Sequence, residues 1–271
     1  PLDTIVKEAQ QLASEGAKEL CVVGQDLTVY GMDTYGRPKL MELLDALESS
    51  LPHDLWIRLL YLHPSRVTET LLERVSKGSQ ILPYLDIPVQ HGDARILKSM
   101  NRGISDEELL TIFTTARSIN PDFALRTTCM VGFPGEKKSH FDKMMDFVSK
   151  AKFDRMGAFT FFAEEDTLAY EMGNQVSDKI KEKRLAALMA LQSEISFERQ
   201  QLFVGREMDV LIERVSHDEG FAEGRSFREA PEVDGIIEIR NICADLKEGD
   251  IIRVKMTEAM PHDMAGEEVI K

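Results

Sequence analysis

Five polar groups in this 271-residue chain stand just beyond runs of apolar, strand-forming residues: Gln25-Asp26, His63, Gln90-His91, Gly132 to Glu136, and Glu164-Glu165. Gly132 and Gly135 bracket Phe133-Pro134, so the turn there can bring backbone N–H groups up to a ligand, although short glycine patterns also mark turns that bind nothing. Amides, imidazoles and carboxylates gathered at strand ends suit the holding of a small polar ligand. Acid–base work by Asp26, His63 and His91, as in a barrel lyase or aldolase, is an alternative. Each residue also has an ordinary role as a helix cap or loop brace. No Ser-His-Asp or paired-carboxylate arrangement stands out, and Cys21, Cys129 and Cys243 form no C-x-x-C or C-x-x-x-C-x-x-C set. They read as small core residues in a reducing compartment.

The elements that must position these groups alternate along the chain. ELCVVG (19–24), DLWIRLLYLHP (54–64), ILPYLDIPVQH (81–91), ALRTTCMV (124–131) and RMGAFTFF (155–162) have the composition of strands. Between them lie helical patterns: 3–15 with Asp3 as cap, a stretch around Leu40, Leu43, Leu44 and Leu47, one capped by Thr68, 93–100, and one opened by a Ser105/Glu108 capping box. Further helical patterns run from Glu136 through Phe141, Met144, Met145 and Val148, and from Ser177 to about Gln201. GQDLTVYGMDTYGRP reads as a long polar loop. Five strands alternating with helices predict a parallel sheet with right-handed crossovers, and its carboxyl-terminal rim is where ligands bind.

From about residue 200 the pattern changes. EMDVLIERV, GIIEIRNI and DIIRVKM are short alternating strands separated by glycine and acidic turns, the pattern of a small antiparallel barrel. Residues 200–271 hold nine Lys and Arg against seventeen Asp and Glu, a net charge of −8. The whole chain carries −14, with 43% hydrophobic and 30% charged residues, so it suits a globular protein of one large domain or two. That balance argues against an unaided grip on nucleic acid and favours a basic protein partner, with a plain solvated acidic surface as the alternative. No apolar run is long enough to cross a membrane, and PLDTIVKEAQ is no signal peptide. A start at Pro1, directly into a helical pattern, reads as a fragment.

GQDLTVYGMDTYG, LYLHPSRVT, ILPYLDIPVQH, RTTCMVGFPGE, MALQSEISFE and GRSFREAPEVDG, in that order, resemble the RimO-type ribosomal-protein aspartate methylthiotransferases over nearly the whole chain. The resemblance implies a radical S-adenosylmethionine (SAM) core, a partial parallel (β/α) barrel over 1–199 with its first strand and cluster loop missing, then an all-β, OB-like TRAM barrel over 200–271. It implies methylthiolation of the β-carbon of one aspartate in a basic ribosomal protein of the small subunit. The enzyme so implied is cytoplasmic and monomeric, with no membrane or direct nucleic-acid partner. The sister family that methylthiolates isopentenyl-adenosine in tRNA is the neighbouring reading. YLDIPVQH, GRSFREAPEVDG and the acidity of the last domain favour the protein-modifying branch.

By the same resemblance, Gly24, Gln25 and Asp26 meet the amino group of the methionine moiety, and Gln90 and Arg126 face its carboxylate or the ribose. The backbone of Gly132, Phe133 and Gly135 lies against the adenine, and Arg225, Glu229 and Asp234 serve substrate recognition. No catalytic residue and no metal ligand is designated. Two four-iron, four-sulfur clusters belong to the family's full-length enzyme. The cysteine loop that holds the catalytic one is absent here, so the fragment is expected to bind neither and to be inactive alone. FFAEEDTLA at 161–169 and HDMAGE near the end depart from the family's usual residues. A non-enzymatic ribosome-binding protein is the reading from another class.

Overall fold

The computed structural model describes residues 1–77 and 80–269. Its first part alternates strands β1 (Glu19–Val22), β2 (Trp56–Leu59), β3 (Tyr84–Asp86), β4 (Ala124–Val131) and β5 (Arg155–Thr160) with nine helices among the described residues. These are α1 (Leu2–Ser14), α2 (Met32–Tyr35), α3 (Leu40–Ser50), α4 (Glu69–Lys77), α5 (Ala94–Ser99), α6 (Asp106–Ile119), α7 (Lys138–Ala151), α8 (Leu168–Glu171) and α9 (Asp178–Gln201). All strand pairings here are parallel: β1 with β2, then β3 with β4 and β4 with β5, the two sets being joined by a parallel bridge between Ile57 and Ile81. The result is a partial (β/α) barrel, as expected.

β4 shows how the pattern builds it. Leu125, Thr127, Cys129 and Val131 are buried, the three apolar ones within the main core, while Arg126, Thr128 and Met130 are half-buried on the other face. The period of two assigns one face to the surrounding helices and leaves the other for function. Thr68 and Ser105 cap α4 and α6 as their spacing predicts, Ser105 in a complete capping box with Glu108.

Three expectations are corrected. Asp3 lies in the first turn of α1 without capping it, Pro1 occupying that position. β3 is three residues long, because Pro83 and Pro88 remove the backbone donors a longer ladder needs. The loop after β1 contains a 3-10 turn, Leu27–Val29, and the short α2.

The second part is a closed barrel of β6 (Glu207–Ser216), β7 (Phe221–Arg225), β8 (Ile237–Arg240), β9 (Ile251–Ala259) and β10 (Met264–Glu268), in the order β10-β8-β7-β6-β9. Met208, Val210, Ile212, Ile237, Ile239, Val254 and Met256 fill it. β10 runs parallel to β8, so the barrel is not wholly antiparallel. Sequence patterning misses β7 and β10, both rich in glutamate and glycine. Their glycines are there for closeness: a Cβ on Gly224 would lie 2.4 Å from the Leu211 carbonyl oxygen, and one on Gly266 2.5 Å from Val254 Cγ1.

A buried layer of ion pairs joins the two barrels at the amino-terminal ends of the parallel strands. Glu19, Arg58, Tyr84, Arg126 and Arg155 supply the floor of the parallel barrel, and residues 225–234 close it from below. Arg225 Nη1 donates to Glu19 Oε2 at 2.7 Å, and Arg155 Nη2 to Glu229 Oε1 at 2.7 Å. The Tyr84 hydroxyl donates to Asp234 Oδ2 at 2.6 Å, with Arg126 Nε 3.5 Å from Oδ1. Arg58 donates to the Phe227 carbonyl oxygen at 2.8 Å. α9, about 36 Å long, packs along β5 and reaches β9, tying the barrels from the side.

Candidate active site at the carboxyl-terminal rim

The loop after β1 is braced by Asp26. Its Oδ1 accepts from the Thr28 N–H at 2.9 Å and the His63 N–H at 3.3 Å, and its Oδ2 accepts from Arg66 Nη1 at 2.8 Å. The carboxylate is thereby occupied by its own loop. Gln25, by contrast, is exposed and lines a cavity of about 210 Å³ together with Tyr61, His63, Gln90, Arg102 and Thr128.

Two of those residues sit in the left-handed backbone region, Tyr61 at φ 62° and Gln90 at φ 70°. Non-glycine residues rarely stay there unless surrounding bonds hold them, and such strain gathers at functional sites. Gln90 is held by its N–H, which donates to the Thr128 carbonyl at 2.9 Å, and by its own carbonyl, which accepts from the Met130 N–H at 2.7 Å. Its amide oxygen is shielded from solvent and has no hydrogen-bond donor. Arg102 makes no ion pair among the described residues, and burial pushes its guanidinium pKa down. Burial also pushes the His63 imidazole down, Arg102 acting in the same sense and Asp26 against it.

The Gly132–Glu136 turn is built around a buried carboxylate. Glu136 Oε2 accepts from the Gly132 N–H at 2.7 Å, Oε1 accepts from Arg184 Nη1 at 2.7 Å, and His91 Nε2 lies 3.4 Å away. The Gly135 N–H donates to the Asn174 carbonyl at 2.9 Å. Gly132 has φ 78°, and a Cβ there would lie 2.3 Å from Lys181 Cγ. The turn is therefore required by close packing, and the N–H groups of Gly132 and Gly135 already have acceptors. Phe133 is buried against Phe161, ring centroids 5.2 Å apart.

The residues singled out from sequence thus divide. Gln25 and Gln90 come together at the rim, with Gly24 preceding Gln25 in the loop after β1. Gly132, Phe133 and Gly135 form a packed turn on that face. Arg126 lies apart, three residues below the Gln90–Cys129 bridge, with Nη1 donating to Asp86 at 2.9 Å and Nε facing Asp234. Its carboxylate partners belong to this chain. Arg225 and Glu229 lie buried at the opposite end of the barrel, beside the covered carboxylate of half-buried Asp234, and their side chains hold the two barrels together. Sequence reasoning missed Tyr61, Arg102 and Thr128. The period-two alternation of β4 points to Thr128, but no local signal marks Tyr61 or Arg102.

The cleft suits a small zwitterionic ligand. An unpaired guanidinium opposite an orphaned amide oxygen suits a zwitterion, carboxylate at Arg102 and ammonium at Gln90. Among the described residues no group of three His, Cys, Asp or Glu side chains can hold a metal. All three thiols are disfavoured as thiolates: complete burial pushes Cys129 up to about 12, burial raises Cys21, and the Glu268 contact raises Cys243.

A parallel strand–helix barrel with a cleft at its carboxyl rim and a small β-barrel closing its floor defines a partial (β/α) barrel with an appended β-domain. The chain belongs to the radical SAM superfamily, whose family model matches residues 1–148, and a TRAM domain model matches 204–269. It is 40% identical over 267 residues to the ribosomal protein uS12 methylthiotransferase RimO of Carboxydothermus hydrogenoformans, covering 98% of this chain and 60% of that one. To the protein of the same name in Aquifex aeolicus it is 41% identical over 266 residues, covering 98% and 61%. The chain spans about 60% of the length of these curated relatives. Among solved structures, coproporphyrinogen III oxidase (HemN) from Escherichia coli, described as a radical SAM enzyme, aligns with a TM-score of 0.57 at 18% identity, over 72% of this chain and 45% of that one. That likeness shows the fold.

Proposed function

We propose that this chain is the barrel and TRAM portion of a radical SAM methylthiotransferase that modifies an aspartate β-carbon of ribosomal protein uS12. The observation that carries this reading is the identity of about 40% to proteins of that name across both domains at once. The acidic chain supports a basic protein as partner over tRNA. A ribosomal substrate would be met in the cytoplasm. We take the working unit to be a monomer. Full-length protein with its clusters, incubated with uS12, should add one methylthio group to an aspartate, read by peptide mass spectrometry. Modification of tRNA instead overturns the assignment.

When bound, SAM supplies radical chemistry that no side chain here can supply. The chain's own residues bind, orient and shield. Arg102 would pair with the methionine carboxylate and the Gln90 amide oxygen would accept from the ammonium, while Gln25 and Thr128 border the cleft. With the His63 imidazole pushed towards its neutral form, Arg102 is the cationic group of the cleft. Arg102→Ala should weaken SAM binding about 10–100-fold, the span of a hydrogen bond to a charged group, measured by calorimetry on the full-length protein. Gln90→Asn, which tolerates the left-handed backbone but withdraws the amide, should weaken it about tenfold.

A further inference from the structure

The segment leaving β5, residues 159–171, shows apolar and acidic side chains together to solvent. Phe162 is 77% exposed and Leu168 85%, with Phe159 and Tyr170 also exposed. Soluble proteins seldom leave large apolar side chains clustered in this way without a partner. Glu164, Glu165 and Asp166 are exposed among them, and none makes an ion pair among the described residues. The segment contains no Lys, Arg or His.

The display is held in place. The Phe161 N–H donates to the Val131 carbonyl at 2.8 Å, and its ring packs on Phe133 of the turn after β4. Thr167 caps α8 through the Tyr170 N–H at 3.2 Å, and Gln175 Nε2 donates to the Ala169 and Met172 carbonyl oxygens at 3.0 Å each. The patch therefore stands on the carboxyl-terminal face, where the ligand cleft opens. Arg225, Glu229 and Asp234 lie at the other end.

We propose that residues 159–171 form the docking surface for a basic, apolar-containing segment of the protein substrate, an inference that rests on the protein-modifying reading. Uncompensated carboxylates among exposed aromatic and aliphatic side chains match a peptide that alternates Arg or Lys with Leu or Phe. They repel nucleic acid phosphates. The patch places such a peptide beside the cleft, as modification of a protein side chain requires.

The probe is a short synthetic peptide alternating Arg and Leu, its counterpart with Glu for Arg, and the uS12 peptide around the target aspartate. Binding is followed by fluorescence anisotropy on the full-length protein. The basic and uS12 peptides should bind and the acidic one should not. Phe162→Ser with Leu168→Ser, and Glu164→Lys with Glu165→Lys, should each weaken binding about tenfold, with an unchanged thermal midpoint because these side chains are largely exposed. Equal binding by the double variants overturns the proposal, as does displacement of the peptide by a short RNA or a dimer that the same substitutions dissolve. Peptide binding through the patch without uS12 modification by the wild type sinks the enzymatic reading and leaves the surface standing. Modification that survives both double variants unchanged sinks the surface alone.

Discussion

Asp154→Asn should lower the stability of the chain by about 3–5 kcal/mol, the scale for breaking a buried ion pair from one side. Asp154 stands just before β5 and is 1% exposed. Its Oδ1 accepts from Arg199 Nε at 3.1 Å and Arg228 Nη2 at 3.2 Å, and its Oδ2 from the Leu125 N–H at 2.9 Å and from Arg117. Helices α6 and α9, strand β4 and the TRAM domain thus converge on one carboxylate. Loss of its charge leaves Arg228, itself 1% exposed, without its acidic partner. Burial opposes ionisation, but Arg228, Arg117 and Arg199 outweigh it and hold the carboxyl well below the usual carboxylate range. The folded pKa is depressed, so this stabilisation is fully present above the unfolded value of about 3.9 and is lost as pH falls from there towards the folded pKa. Chemical denaturation followed from neutral to acid pH should show the wild type losing stability across that window. The variant should start lower and fall less, and a variant whose denaturation midpoint matches the wild type at pH 7 would contradict the role.

Glu136→Ala should cost about 3–5 kcal/mol for the same reason and should disturb the rim as well. The side chain is fully buried, and its removal strands Arg184 and leaves the Gly132 N–H without its acceptor. Gly132 is pressed against Lys181 and next to Phe133, which packs on Phe161, so the loosened turn should reach the base of the 159–171 patch. Glu136→Gln, which can still accept from the Gly132 N–H, should recover part of the loss. The readouts are the denaturation midpoint and hydrogen exchange at Gly132, expected to rise in Glu136→Ala and to be partly restored in Glu136→Gln.

Much of this was legible in the sequence because periodicity and capping are local. The alternation in β4, the Ser105/Glu108 box and the long run of α9 depend on neighbours a few residues apart. The rim was legible too, since strand ends can be located without knowing the fold. What was not legible depends on long-range partners. Arg126 reads as a ligand-binding guanidinium until Asp86 and Asp234 are seen to claim it, the second lying 108 residues away. GRSFREAPEVDG reads as a recognition surface through the family resemblance that it helps to carry. Its polarity serves the other barrel instead. Tyr61 and Gln90 escape any pattern, because a left-handed backbone at a non-glycine residue is imposed by tertiary bonds.

The ion-pair floor bears on how the molecule can be dissected. A cut near residue 200 divides the chain neatly in sequence and badly in space. Excising residues 200–271 would leave Glu19, Arg58, Arg126 and Arg155 facing solvent at an unstoppered barrel base. A lost activity in that truncate would report a collapsed scaffold as readily as a lost recognition module. The small barrel's part in choosing a partner is better read by reversing charges on its outward strands, such as Asp209 or Glu258, which leave the stopper seated.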